Sequence, residues 1–102
     1  MAVILQIHFP FSGPFGDALL EEARPMAESI NTEPGLRWKL WTEDAQEKRA
    51  GGIYLFDTRE QAQRYLDKHS ERLRQSMGVE NVEAQILEVN EPLSAINRGP
   101  VQ

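Results

Sequence analysis

Several stretches of this chain read as strands with apolar residues on both faces, although the sequence has only two long helical patterns to cover them. In the first stretch, Val3, Leu5, Ile7 and Phe9 point one way while Ala2 and Ile4 point the other. In a later one, Ile53 and Leu55 oppose Tyr54 and Phe56. In the last, Val82 and Ile86 oppose Leu87 and Val89. A sheet face open to water should be polar at every second residue, and these are not. Two helices cover one face of a four-stranded sheet, so the other face needs a cover from elsewhere. A second copy of the chain is the simplest supply. The pattern therefore predicts a homodimer with paired sheets, an architecture that encloses small ligands.

The order of the elements follows from punctuation. Residues 2–9 read as a buried strand and Pro10–Gly13 as a turn. Pro14 suits a first helical position, where its missing N–H costs nothing. Leu19, Leu20, Ala23, Met26, Ala27 and Ile30 then recur at helical spacing up to about Asn31. Pro25 should kink that helix near Leu20–Glu22, and Pro34-Gly35 stops it. A second strand spans about 36–43, with Leu36, Trp38 and Leu40 alternating against Arg37, Lys39 and Trp41. A third spans about 50–57. Asp57 or Thr58 caps a second helix, with Gln61 completing a capping box for Thr58. Its apolar stripe is Ala62, Tyr65, Leu66, His69, Leu73 and Met77, and Gly78 ends it. A fourth strand spans about 82–89. A short helical tail follows at about 91–97 and is expected to reach across to the partner copy. The order βαββαβ is that of the α+β ferredoxin-like unit, here expected as one antiparallel domain over 1–102.

Bulk properties remove whole classes of function. The 102 residues carry a formal net charge of -5, which disfavours nucleic-acid phosphates and anionic membrane surfaces alike. No apolar run can span a bilayer, and no basic segment precedes the apolar start as in a signal peptide. Without cysteine, thiolate catalysis and Cys-ligated metals are excluded. A cytoplasmic protein is expected.

No catalytic motif stands out. Gly13-Pro14-Phe15-Gly16-Asp17 is neither a phosphate loop nor a dinucleotide fingerprint, and there is no zinc-type histidine pair. What remains is a constellation of two His, two Trp and two Tyr. His8 ends the first strand. His69 lies about 17 Å up the second helix from Thr58, in the upper half of strands about 26 Å long. His8, His69, Trp41 and the amides of Phe15 and Gly16 therefore gather at one end of the sheet, provided His8 faces the helices. Trp38 and Trp41 differ by three positions and point to opposite faces. Trp38 and Tyr54 fall nearer mid-height, and Tyr65 reads as packing. Arg37, Lys39 and Glu43 read as a solvated edge. His69 interrupts an apolar stripe where leucine would stabilise more, because a buried imidazole needs a partner. Either a ligand or a structural bond selects it.

Several blocks carry a family likeness: Gln6-Ile7-His8-Phe9, Gly13-Pro14-Phe15-Gly16-Asp17, Ala27-Glu28-Ser29-Ile30-Asn31, Glu33-Pro34-Gly35, Trp38-Lys39-x-Trp41-Thr42-Glu43, Ala50-Gly51-Gly52-Ile53-Tyr54-Leu55-Phe56, Tyr65-Leu66-x-Lys68-His69 and Val89-Asn90-Glu91-Pro92-Leu93-Ser94. From about Gln6 to Asn97 the chain resembles the bacterial YdhR-type mono-oxygenases. The resemblance implies a dimeric α+β barrel, the fold of the antibiotic-biosynthesis type of mono-oxygenase. It also implies oxidation of a small electron-rich aromatic compound by dioxygen without metal or organic cofactor. In that chemistry the protein supplies a base, a donor for the developing oxyanion and a dry pocket. His69 or His8 would be the base. Trp38, Trp41 and Tyr54 would wall the substrate, and the helix start at Phe15 and Gly16 would hold an anionic oxygen. Two alternatives stay open on the same fold. One is a non-catalytic small-ligand or stress-response module. The other is a haem-degrading protein with His69 as the iron ligand, which Gln6 and His8, standing where an Asn is expected, weaken.

Overall fold

A computed structural model describes residues 1–101. Its elements are β1 (Val3–Pro10), α1 (Gly16–Ile30), β2 (Leu36–Asp44), β3 (Arg49–Phe56), α2 (Arg59–Met77), β4 (Glu83–Glu88) and α3 (Glu91–Ile96). The four strands form one antiparallel sheet in the order β2-β3-β1-β4. This is the ferredoxin-like α+β arrangement that the element order implies. No helix among the described residues is long and apolar enough to cross a membrane.

The apolar parity of the strands becomes two separate clusters. On one face, Val3, Leu5, Ile7, Phe9, Tyr54 and Phe56 pack with Ile30 of α1 and with Ala62, Tyr65 and Leu73 of α2. On the other face, Leu55 packs with Ala2, Val89 and Val101, with Ile4 and Trp38 beside them. Among the described residues, the chain covers that second face only at this end. Leu40 and Leu87 remain largely exposed. The last described residues return here: Trp38 Nε1 donates to the Pro100 carbonyl at 2.8 Å, and an Arg37 guanidinium nitrogen donates to the Val101 carbonyl at 3.0 Å.

The helix ends show which local signals hold. The Thr58 hydroxyl accepts from the Gln61 amide at 3.2 Å, so the N-cap forms as expected. The return half of the capping box does not form. Gln61 Oε1 is buried without a partner and lies over Gly35, where a Cβ would meet it at 1.9 Å. Gly78 ends α2 in the left-handed region at φ 64°, a conformation glycine reaches without strain. Helix α1 starts at Gly16, later than the Pro14 start expected. Phe15 is still extended as its N-cap, and the Gly16 amide is held by the Glu43 carboxylate of β2 at 2.9 Å. The helix runs uninterrupted through Pro25 to Ile30.

Strand β2 carries the one irregularity that matters for the site. Its register with β3 slips between Leu36 and Trp38, a β-bulge that leaves Arg37 unpaired in the ladder. Leu36 pairs with Phe56 on the helix-covered face, whereas Trp38 pairs with Leu55 on the other. Beyond the bulge the alternation is regular. Lys39 opposite Tyr54 and Trp41 opposite Gly52 face the helices, and Leu40 opposite Ile53 faces away.

Candidate functional site

Between α1, α2 and the helix-covered side of the sheet lies a cavity of about 270 Å³. Its walls are mostly apolar: Phe9, Phe11, Met26, Trp41 and Leu73 are among them. Lys39, Tyr54 and His69 bring polar atoms to it, and Glu22, Thr42 and Ser76 stand in the same lining. An apolar hollow with a few convergent polar groups is the usual form of a small-ligand site, and this volume sits at the small end of the range. Among the described residues, no group of three or more His, Asp or Glu could hold a metal ion.

His69 is placed by helical spacing. Tyr65, His69 and Leu73 share the face of α2 turned to the sheet, and all three are buried. The imidazole stacks on the Tyr65 ring, centroids 4.9 Å apart, and Tyr65 in turn donates its hydroxyl to Tyr54 Oη at 3.2 Å. One turn on, the Arg72 guanidinium reaches His69 Nδ1 at 2.9 Å. A guanidinium only donates, so Nδ1 is the acceptor and the ring proton of the neutral imidazole sits on Nε2. Burial holds the histidine well below its ordinary range, at about 3, with the charges of Lys39, Arg72 and Lys68 adding to the effect. His69 is thus a fixed N–H donor with its basic nitrogen already occupied.

Lys39 is the residue that sequence reading misplaced. It was expected on a solvated edge, yet its side chain turns into the cavity. Its Nζ lies 3.4 Å from the Trp41 ring centroid and 4.7 Å from that of Tyr54. Among the described residues no carboxylate pairs with it. Burial, then the charge of Arg72, lowers it from 10.5 to about 7. The ring faces favour the cation by up to about 2 kcal/mol. The move from 10.5 to about 7 corresponds to roughly 5 kcal/mol against it. Burial therefore wins. The room for this side chain comes from Gly52 on the neighbouring strand, where a Cβ would lie 2.8 Å from Lys39 Cε and 3.1 Å from the Tyr54 ring.

The other expected site residues divide between the two faces. Trp41 and Tyr54 line the cavity. Trp38 does not: it is on the opposite face, bonded to Pro100. His8 is also on the opposite face, paired with Gly51 and Glu83 beside Gln6 and Gln85, so the sheet separates it from His69. The condition for joining the two histidines is not met. Phe15 stands one ring away from the cavity, edge-on to Phe11 at 5.6 Å. Gly16 borders an adjoining hollow with Leu19, Ala23 and Trp41, and its amide is already engaged by Glu43.

Comparison with known proteins agrees with this architecture. Among curated protein sequences none matches the chain. Among solved structures, a "Putative antibiotic biosynthesis monooxygenase from Nitrosomonas europaea" superposes with a TM-score of 0.66 at 18% identity, over 89% of this chain and 92% of that one. SnoaB, described as a cofactor-independent oxygenase from Streptomyces nogalater, superposes with a TM-score of 0.61 at 16% identity, over 87% and 93%. A Deinococcus radiodurans protein described as a "putative antibiotic biosynthesis monooxygenase" gives 0.57 at 13%, over 88% and 93%. At such identities the likeness is one of fold. The sequence goes further: residues 4–100 match the family described as "Putative mono-oxygenase ydhR", and the chain belongs to that family.

Proposed function

We propose that the protein oxidises a small electron-rich aromatic compound, of phenol or anthrone type, with dioxygen and without metal or organic cofactor. The observation that carries this reading is the presence of Lys39 and His69 in one cavity whose walls are mostly apolar. The neutral Lys39 amine takes the acidic proton of the substrate. A base with a pKa near 7 is well matched to that task at neutral pH. The His69 Nε2–H, its other nitrogen held by Arg72, donates to the substrate oxygen on which charge develops. Trp41 and Tyr54 flank the ring. The deprotonated substrate passes an electron to dioxygen, and the two radicals combine to a peroxide. Collapse of the peroxide leaves one oxygen atom in the new carbonyl and the other in water. The SnoaB description as a cofactor-independent oxygenase supports the cofactor-free form of this reading.

The sheet face away from the helices is assigned to a partner copy. Ile4, Ile53, Leu55 and Leu40 lie there along the strands, with Leu40 and Leu87 exposed. Leu93 and Ile96 of α3 are exposed next to it and would extend the contact. His8 belongs to this seam, so the base assignment rests with Lys39.

The test is oxygen uptake by purified protein with a panel of dihydroxyaromatic compounds and anthrones, followed together with quinone absorbance. Uptake above the autoxidation of the compounds alone, lost in a Lys39→Met variant, is the expected result. Ligand-induced quenching of Trp41 fluorescence with no uptake for any compound would refute oxidation and leave the site as a binding pocket.

A further inference from the structure

The Lys39 amine is available for more than proton transfer. Lysines that serve in ion pairs meet a carboxylate, and those that cover apolar surface carry the ammonium out to water. Lys39 does neither. Its stem passes over Gly52, the position where any side chain would obstruct it, and its nitrogen ends between two aromatic rings inside a cavity. Lys48 is exposed, and Lys68 is paired with Glu33 at the surface. These are the three lysines of the chain.

We propose that Lys39 is a nucleophilic amine that captures small aromatic aldehydes in the cavity as imines. The Nζ lone pair attacks the carbonyl carbon, forming a C–N bond and a carbinolamine. The C–O bond then breaks, and the oxygen leaves as water with the two hydrogens of the amine. No oxidant or reductant is consumed. The His69 Nε2–H is the ring donor in the cavity that Arg72 leaves free, and it polarises the carbonyl oxygen. The mostly apolar walls limit the water that would reverse the condensation. Phe9, Phe11, Trp41 and Leu73 suit an aromatic aldehyde over a sugar or a charged keto acid. Loss of the ammonium proton in an apolar setting is what makes a lysine nucleophilic: desolvation favours the neutral amine with its lone pair free.

The proposal does not depend on dioxygen, so it is tested without it. The purified protein is incubated anaerobically at pH 7 with benzaldehyde and sodium cyanoborohydride, and the reduced adducts are mapped by peptide mass spectrometry. At that pH an ordinary lysine is neutral in about one molecule in three thousand, and Lys39 in about half. Labelling of Lys39 should exceed that of Lys48 by about a hundredfold or more. The adduct at Met1 falls on a different peptide and does not interfere. The same reaction in urea, with the fold lost, should label the three lysines alike. An unlabelled Lys39, labelling no faster than that of Lys48, or a preference that survives in urea would each overturn the proposal. None of these results bears on oxygen uptake, which stands or falls on its own assay.

Discussion

Replacing Lys39 by methionine should stabilise the protein at neutral pH, and by an amount that depends on pH in a defined way. The unfolded chain holds this amine at its ordinary 10.5 and the fold holds it at about 7. Between those values the unfolded state binds more protons, so stability rises with pH across the window. Below pH 7 the folded amine must be charged in its cavity. There the cost reaches its ceiling, roughly 5 kcal/mol at 1.36 kcal/mol for each pH unit between 7 and 10.5. At pH 7, with half of the folded molecules neutral, it is roughly 4 kcal/mol, and at pH 9 roughly 2 kcal/mol. Water entering past the half-exposed Trp41 lowers all three figures together. Methionine fills much the same space without a charge, so Lys39→Met should remove the penalty. Urea unfolding of both proteins at pH 6.5 and pH 9 isolates it, because every other titrating group cancels in the difference. The variant should be the more stable at both values, and its advantage should shrink by roughly 2–3 kcal/mol from the lower to the higher. Parallel pH profiles would refute the reasoning, since they would mean that the amine is solvated in the fold. The base and nucleophile assignments would then both lose their physical basis.

Three further outcomes follow. His69→Leu should keep a melting temperature close to that of the parent while oxygen turnover falls about 10²- to 10³-fold, the usual loss on removing one oxyanion donor; unchanged turnover would take His69 out of the site. Tyr65→Phe removes the donor to Tyr54 Oη and leaves that buried hydroxyl alone, at a cost of about 1–3 kcal/mol in urea unfolding; an unshifted midpoint would show that water replaces the bond. Leu40→Asp places a charge on the helix-free face. It should turn a dimer into a monomer in sedimentation equilibrium at micromolar concentration, and a parent protein that is itself monomeric would remove the partner from that face.

The framework of the fold was readable because burial imposes a parity that sequence displays directly. Val3, Leu5, Ile7 and Phe9 against Ala2 and Ile4 already separate the two clusters. The same parity puts His8 with Ile4. It does not say which apolar face the helices cover, and that was the missing fact for His8. His69 was legible as an anomaly, a polar residue on a stripe that packs on the sheet. Its partner was not singled out, although Arg72 lies at the i+3 position where helix side chains meet. Lys39 escaped for a different reason. A lysine set between Trp38 and Leu40 reads as the wet side of a strand, and only a cross-strand neighbour reveals otherwise. The signal was the Gly51-Gly52 pair in a strand, a sign of close approach by something else. Which side chain uses that space depends on a register set by the bulge at Arg37, and local pattern does not specify it.

Helix α1 is fastened at its two ends and hollow beneath its middle. Only Ile30 of its 15 residues is buried. Its first amide is held by Glu43, and just past its last turn Glu33 meets Lys68 of α2. Between these points Leu19, Ala23 and Met26 rest over the cavity. An element that buries so little has a low free energy of opening and detaches as a unit well before the sheet does. Opening of this wall would be a local unfolding equilibrium, and one route by which a ligand reaches the cavity. The concentration of open molecules, set by temperature and osmolytes as much as by ligand shape, would govern how fast the cavity fills, and a mutation that tightened α1 onto the sheet would slow exchange of ligand without touching Lys39 or His69.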